Sequence, residues 1–145
     1  MLIEHPTHEY AGPRADLMGN TVGEIRVQRL FDDPADPGRT WLVVYCEPGA
    51  RTWPHVHRSG QVLHVLSGLG VIVTSGERRI VTPGDIVRVR PGMWHWHGAL
   101  SRRPFCHLAV QGGGSDLVWS EEHADFPALA SEFAEFERSL DGERL

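Results

Sequence analysis

No lysine occurs in this 145-residue chain: every one of its fourteen basic residues is arginine. An imine between a substrate carbonyl and a lysine amine is therefore excluded as its chemistry. Only two cysteines are present, Cys46 in "WLVVYCEP" and Cys106 in "FCHLAV". They lie in apolar extended runs without CxxC spacing, which predicts buried reduced thiols rather than a disulfide or a metal knuckle. No apolar run approaches the roughly 20 residues that span a bilayer, and "MLIEHPTHEY" has neither a basic leader nor an apolar core, so the expectation is a soluble, cytoplasmic protein without a membrane partner. A basic stripe is also missing. Residues 120–145 carry eight acids and two arginines, a charge of −6 out of the net −5, which leaves the preceding part near +1. Nucleic acid is not the expected partner of such a chain.

What the chain does have is glycine and proline, sixteen and ten respectively, set among runs rich in valine and isoleucine. From Thr21 onward the segments "GEIRVQRLF", "TWLVVYCE", "QVLHVLSG", "GVIVTSG", "RRIVT", "GDIVRVRP" and "FCHLAVQ" read as strands. Between them stand "DDPADPGR", "EPGAR", "SGLG", "TSGE" and "TPGD", whose composition suits turns. Ser75-Gly76 marks a hairpin. Length allows one domain, 1–145, with a barrel or sandwich core over about 21–119. Only the tail changes period: Leu129, Phe133, Phe136 and Leu140 recur at helical spacing, with Asp125 as a cap, Pro127 in the first turn and Gly142 as a stop. They predict one amphipathic helix over about 126–140.

The histidines carry the chemistry. In "GARTWPHVHRSGQVLHVLSG" equal strand parity sends His55, His57 and Gln61 to one interior, with His64 facing the other way. The second group, "GDIVRVRPGMWHWHGA", supplies His95 and His97 after a Pro-Gly turn. Three imidazole nitrogens and a carbonyl oxygen suit a divalent first-row metal with open positions. Trp94 and Trp96 are expected to pack with His97.

Together these two segments resemble the paired motifs of the cupin superfamily. The first matches as Gly49-x5-His55-x-His57-x3-Gln61-x6-Gly68, with Gln61 where the family has glutamate. The second matches at Gly84, Gly92 and His95, with Arg90 in place of the usual first proline and Ala99 in place of the final asparagine. The resemblance implies an all-β fold, a double-stranded β-helix (jelly-roll barrel) with a short C-terminal helix, and a metal held by His55, His57, Gln61 and His95. A neutral amide at Gln61 adds no charge to three neutral imidazoles, so the metal keeps its full dipositive charge and favours anionic ligands.

A narrower likeness, carried by "EPGARTWPHVHRSGQ", "GDIVRVRPGMWHWHGA", "HLAVQ" and the Trp119 and "EEH" segment at 119–123, is to small bacterial cupins that act as manganese-dependent hydroxynitrile lyases. It implies His107 as a catalytic base, Gln111 beside it and Thr52 as a hydroxyl near the substrate. By the same alignment Leu42, Val44 and His97 line the substrate pocket, where Leu42 narrows the room for large aromatic cyanohydrins. Mn2+ is the implied metal, with Fe2+, Zn2+, Ni2+ and Cu2+ as alternatives. The expected partners are a small-molecule substrate and a second copy of the chain, as a homodimer or a higher homo-oligomer. Two rivals stay open: a metal-dependent dioxygenase or other oxidoreductase, and a non-catalytic small-molecule-binding cupin. For His107 the plain alternative is a core histidine bonded to a carbonyl.

Overall fold

The computed structural model describes residues 1–6, 19–120, 135 and 137–139. Twelve strands follow in chain order: β1 (Thr21–Val22), β2 (Ile25–Leu30), β3 (Arg39–Cys46), β4 (Arg51–Thr52), β5 (His55–His57), β6 (Gln61–Gly68), β7 (Gly70–Thr74), β8 (Arg78–Val81), β9 (Ile86–Val89), β10 (His95–Ala99), β11 (Phe105–Gly112) and β12 (Leu117–Trp119). They form two antiparallel sheets. The five-stranded one runs β2-β3-β11-β6-β9; the seven-stranded one runs β1-β4-β10-β5-β12, with β7 and β8 continuing from β10. This is a curled β-sandwich of the jelly-roll kind. Among the described residues no helix is long and apolar enough to cross a membrane. The tail helix expected over 126–140 lies mostly outside the described residues, as do the "EEH" residues 121–123. Of that helix, Glu135 and residues 137–139 are helical, and the buried Glu137 carboxylate accepts from the Ser101 amide and hydroxyl.

Each long strand alternates, and the alternation builds the core. Leu42, Val44 and Cys46 on β3, Leu63 and Val65 on β6, and Phe105 and Ala109 on β11 meet Ile72, Val81 and Ala99 between the sheets. Burying such side chains stabilises the fold by roughly 1.5–3 kcal/mol each. The opposite parity is not wasted: Val71, Val73 and Trp96 form a second cluster with Leu69 and Leu100, backed by Trp53, Ile80 and Trp94. Both cysteines are free and buried.

Two glycines set the geometry around the site. Gly68 closes β6 at φ +81°, and a Cβ there would lie 1.9 Å from the Pro104 carbonyl oxygen, so any side chain would push the β10–β11 loop away. Gly70 lies under the Phe105 ring, where a Cβ would come within 2.5 Å of it. Phe105 in turn packs 5.0 Å, centroid to centroid, from His107. A bare backbone at position 70 therefore fixes where His107 stands. The hairpin expected at Ser75-Gly76 joins β7 to β8, with the Thr74 amide donating to Glu77 O at 2.9 Å.

Candidate metal centre and active site

Both sheets contribute to one inner cavity. The seven-stranded sheet supplies Thr52, His55, His57, His97, Leu117 and Trp119. The five-stranded sheet faces them with Leu42, Val44, Gln61, His107, Ala109 and Gln111. Register explains the gathering: His95 on β10 pairs directly with His55 on β5, whose other neighbours, Trp119 and Leu117 on β12, pair with His55 and His57. On the facing sheet Gln111 lies opposite Gln61, and His107 lies between Val44 and Val65. His55, His57, His95, His97 and His107 are each at most 4% exposed. The cavity left between them is about 30 Å³.

Five buried imidazoles without a solvent contact are costly unless their nitrogens are used. Two of them are anchored by the main chain: His55 Nδ1–H donates to Trp53 O at 2.8 Å, and His95 Nδ1–H donates to Met93 O at 2.9 Å. Each anchor fixes the tautomer and turns the Nε2 lone pair inward. His57 is aimed differently. Its Nδ1 lies 3.4 Å from the Asp116 carboxylate, whose other oxygen takes the Ser59 hydroxyl at 2.6 Å and the Ser59 amide at 2.7 Å. Burial raises the Asp116 pKa, but the Ser59 donors and His57 outweigh it and hold that carboxyl below its usual range. Among the described residues no ring nitrogen of His57, His97 or His107 has a hydrogen-bond partner, and of the three only His57 stands beside a carboxylate.

The residues fit a divalent metal on one observation above all. His95 Nε2 lies 3.2 Å from Gln61 Oε1. With Nδ1–H committed to Met93 and the Gln61 amide nitrogen committed to Gln111 Oε1 at 2.7 Å, both facing atoms are acceptors. Two lone pairs held that close call for a cation between or beside them. Protonation does not supply it, because burial holds His95 down to about 4. Burial first, and then neighbouring histidines, keep His55 and His97 well below the usual imidazole range; His57 is lowered by burial against the pull of Asp116. The cluster is thus a set of neutral nitrogen donors, and ligand atoms of His55, His95 and His97 all fall within 4.8 Å of one another.

The structure brings every sequence-predicted site residue to this place. His97 belongs to the cluster as well as to the pocket wall, its ring 5.5 Å from that of His55 and 5.1 Å from that of His107. The expectation that Trp94 and Trp96 pack with His97 is corrected: adjacent residues of β10 face opposite sides, so Trp96 belongs to the outer cluster, under the Arg51 guanidinium, and Trp94 packs against that same cluster. The Thr52 hydroxyl is tied to the His97 main chain at 3.3 Å, accepting from N–H and donating to C=O. Asp116 and Ser59 were not expected from sequence. The signal for Asp116 is "GGGSD" ahead of a short strand and that for Ser59 is "RSG" between two strands, and both ordinarily read as turns.

Comparison with known proteins agrees with the geometry. Residues 42–111 match the Cupin domain family. The (R)-mandelonitrile lyase of Granulicella tundricola is 38% identical over 107 residues, covering 72% of this chain and 82% of that protein. Among solved structures, a cupin-like protein of Thermotoga maritima superimposes with a TM-score of 0.67 at 30% identity, covering 80% of this chain and 90% of that one. The polyketide cyclase RemF of Streptomyces resistomycificus shares the fold at 17% identity, with a TM-score of 0.69 over 88% of this chain and 94% of its own. With its paired histidine motifs, curled double sheet and buried neutral donor cluster, the chain belongs to the cupin family.

Proposed function

We propose that this protein is a metal-dependent lyase of the hydroxynitrile lyase type, cleaving a cyanohydrin reversibly to a carbonyl compound and hydrogen cyanide. The observation that carries the reading is His107: buried, unpartnered at both nitrogens, and on the wall of the same cavity as the donor cluster. The resemblance to a mandelonitrile lyase over most of the chain supports the reaction class.

His55, His57, Gln61 and His95 would hold the metal. Ligand atoms of His97, not His57, group with those of His55 and His95, but His57 is preferred because the Asp116 carboxylate stands 3.4 Å from its Nδ1 and leaves Nε2 to bind. A bound divalent ion supplies Lewis-acid polarisation and a positive field for developing negative charge.

The chain's own residues do the rest. Burial holds His107 down to about 4, so its imidazole is neutral at pH 7 and free to accept a proton. It takes the hydroxyl proton of the cyanohydrin as the carbon–carbon bond breaks, whose electron pair leaves with cyanide. The imidazolium so formed is a strong acid in this dry site and returns its proton to cyanide, completing hydrogen cyanide and restoring the base. Gln111, bonded to Gln61, orients the metal-facing amide. Thr52 stands on the cavity wall, and its hydroxyl reaches a substrate oxygen as a donor only by giving up its bond to His97 O. Leu42 and Val44 limit the substituents, which points to small aliphatic cyanohydrins over bulky aromatic ones.

The test is cyanide release from acetone cyanohydrin and mandelonitrile by manganese- and iron-loaded protein, with oxygen uptake followed on the same preparation. Release above the buffer rate without oxygen consumption is expected. Oxygen consumption with a phenolic or enolic substrate and no cyanide would replace this reading with a dioxygenase.

A further inference from the structure

The inner cavity is close to the volume that one water molecule occupies in the liquid, but a second cavity lies on the other side of the same wall. It measures about 380 Å³, inside the range of small-molecule sites. It opens at one end of the five-stranded sheet, where Val110 on β11, Val62 on β6 and Arg88 on β9 stand in register on the outward face. Arg39, paired with Gly112 at the start of β3, stands at the opposite side.

Among the described residues no carboxylate lines this cleft. Both arginines are exposed, and among the described residues neither has an acidic partner. Asp116, whose carboxylate lies against Gly112 on the cleft wall, is 8% exposed, accepts from Ser59 and faces His57. Two unspent guanidiniums around an apolar floor form a positive island on a chain of net charge −5. Gln61 and Gln111 line both cavities, so their amide pair is the common wall. Gln111 Oε1 is taken by Gln61, which leaves its NH2 group as a donor.

We propose that this cleft is a second ligand site, taking a small organic molecule with a carboxylate or phosphate group held between Arg39 and Arg88. The planar fork of each guanidinium suits either oxyanion, and Val62 and Val110 accommodate the carbon skeleton. The site goes beyond the lyase reading and does not depend on it, because none of its charged groups belongs to the histidine cluster.

The test is a titration of the full chain with malonate and, in parallel, with inorganic phosphate, read by amide-resolved NMR. Saturable shifts are expected at Gly38, Gly60, Val62 and Gly112. Tighter binding of malonate assigns a carboxylate ligand, and tighter binding of phosphate assigns a phosphate ester. Arg39→Ala and Arg88→Ala should each weaken binding by about tenfold or more, the loss expected for one hydrogen-bonded charge. Arg79→Ala, on β8 of the other sheet, should leave it unchanged. Both cleft arginines are exposed, so these variants should melt like the parent. Absence of saturation, unchanged binding in the Arg39→Ala/Arg88→Ala double variant, or shifts centred on β5 and β10 would overturn the proposal. Cyanide release, measured separately, is indifferent to all three.

Discussion

The five buried histidines divide into two kinds. His55 and His95 are braced at Nδ1 by hydrogen bonds to main-chain carbonyls, and His57 Nδ1 faces the Asp116 carboxylate at 3.4 Å; among the described residues neither nitrogen of His97 or His107 has such a neighbour. Bracing fixes a tautomer and costs the ring its freedom, which suits an atom that must hold a cation in one geometry. An unbraced ring keeps both nitrogens available, which suits an atom that gains and loses a proton. On the proposed reading, the difference separates holding from reacting within a cavity of about 30 Å³.

Replacing a braced ring should have the largest effect. His55→Ala, His57→Ala and His95→Ala are each expected to lose most of the bound metal, measured by elemental analysis after dialysis, whereas His97→Ala and His107→Ala keep it. A variant of His97 that loses metal while His57→Ala retains it would exchange their roles. Next in size is turnover. His107→Ala should fall by about 10²–10⁴-fold with its metal in place, the usual contribution of a general base, and Gln111→Ala by less.

The brace itself comes third. Asp116→Asn keeps the shape but removes the charge behind His57, and metal affinity should drop about 10–100-fold by competition against a chelator. Gln61→Glu probes the opposite change, adding a negative charge beside His95. It should hold metal at least as tightly as the parent and bind azide more weakly, and stronger azide binding would refute the charge argument.

The smallest effect is on stability, and its sign follows from burial. His95 and His107 titrate at about 4 in the fold against 6.5 when exposed, so below pH 6.5 the unfolded chain binds more protons than the native one. Stability contributed by neutral burial is complete above pH 6.5 and is lost as pH falls towards 4, on the order of 3 kcal/mol for each ring. Denaturant melts of metal-free protein should show that decline, and His107→Ala should make it shallower.

Parity made much of this readable. Two-residue alternation put His55, His57 and Gln61 on one side of the chain and His107 with Gln111 on another strand, and the motif glycines located the turns that bring those strands face to face. The same rule applied to β10 sends Trp94 and Trp96 away from His97, because residues an odd number of places apart on a strand face opposite sides. Asp116 was not legible because its role comes from pairing across about sixty positions, between a three-residue turn and β5, and no local pattern encodes such a contact. The arginine cleft was hidden for the same reason: Arg39 and Arg88 are unremarkable strand residues until β3, β11, β6 and β9 are laid side by side.

That long-range closure has a consequence for the order in which the protein is made. Among the described strands β12 is the last to leave the ribosome, yet it pairs with β5, and the turn before it carries the carboxylate that faces His57. Joining segments so far apart pays its chain entropy before any contact repays it. A nascent chain that ends before Asp116 has its histidine motifs and most of its two sheets, but one donor ring still lacks its brace. If the site holds a metal as proposed, its capture is expected late in biogenesis, once Asp116 has reached His57.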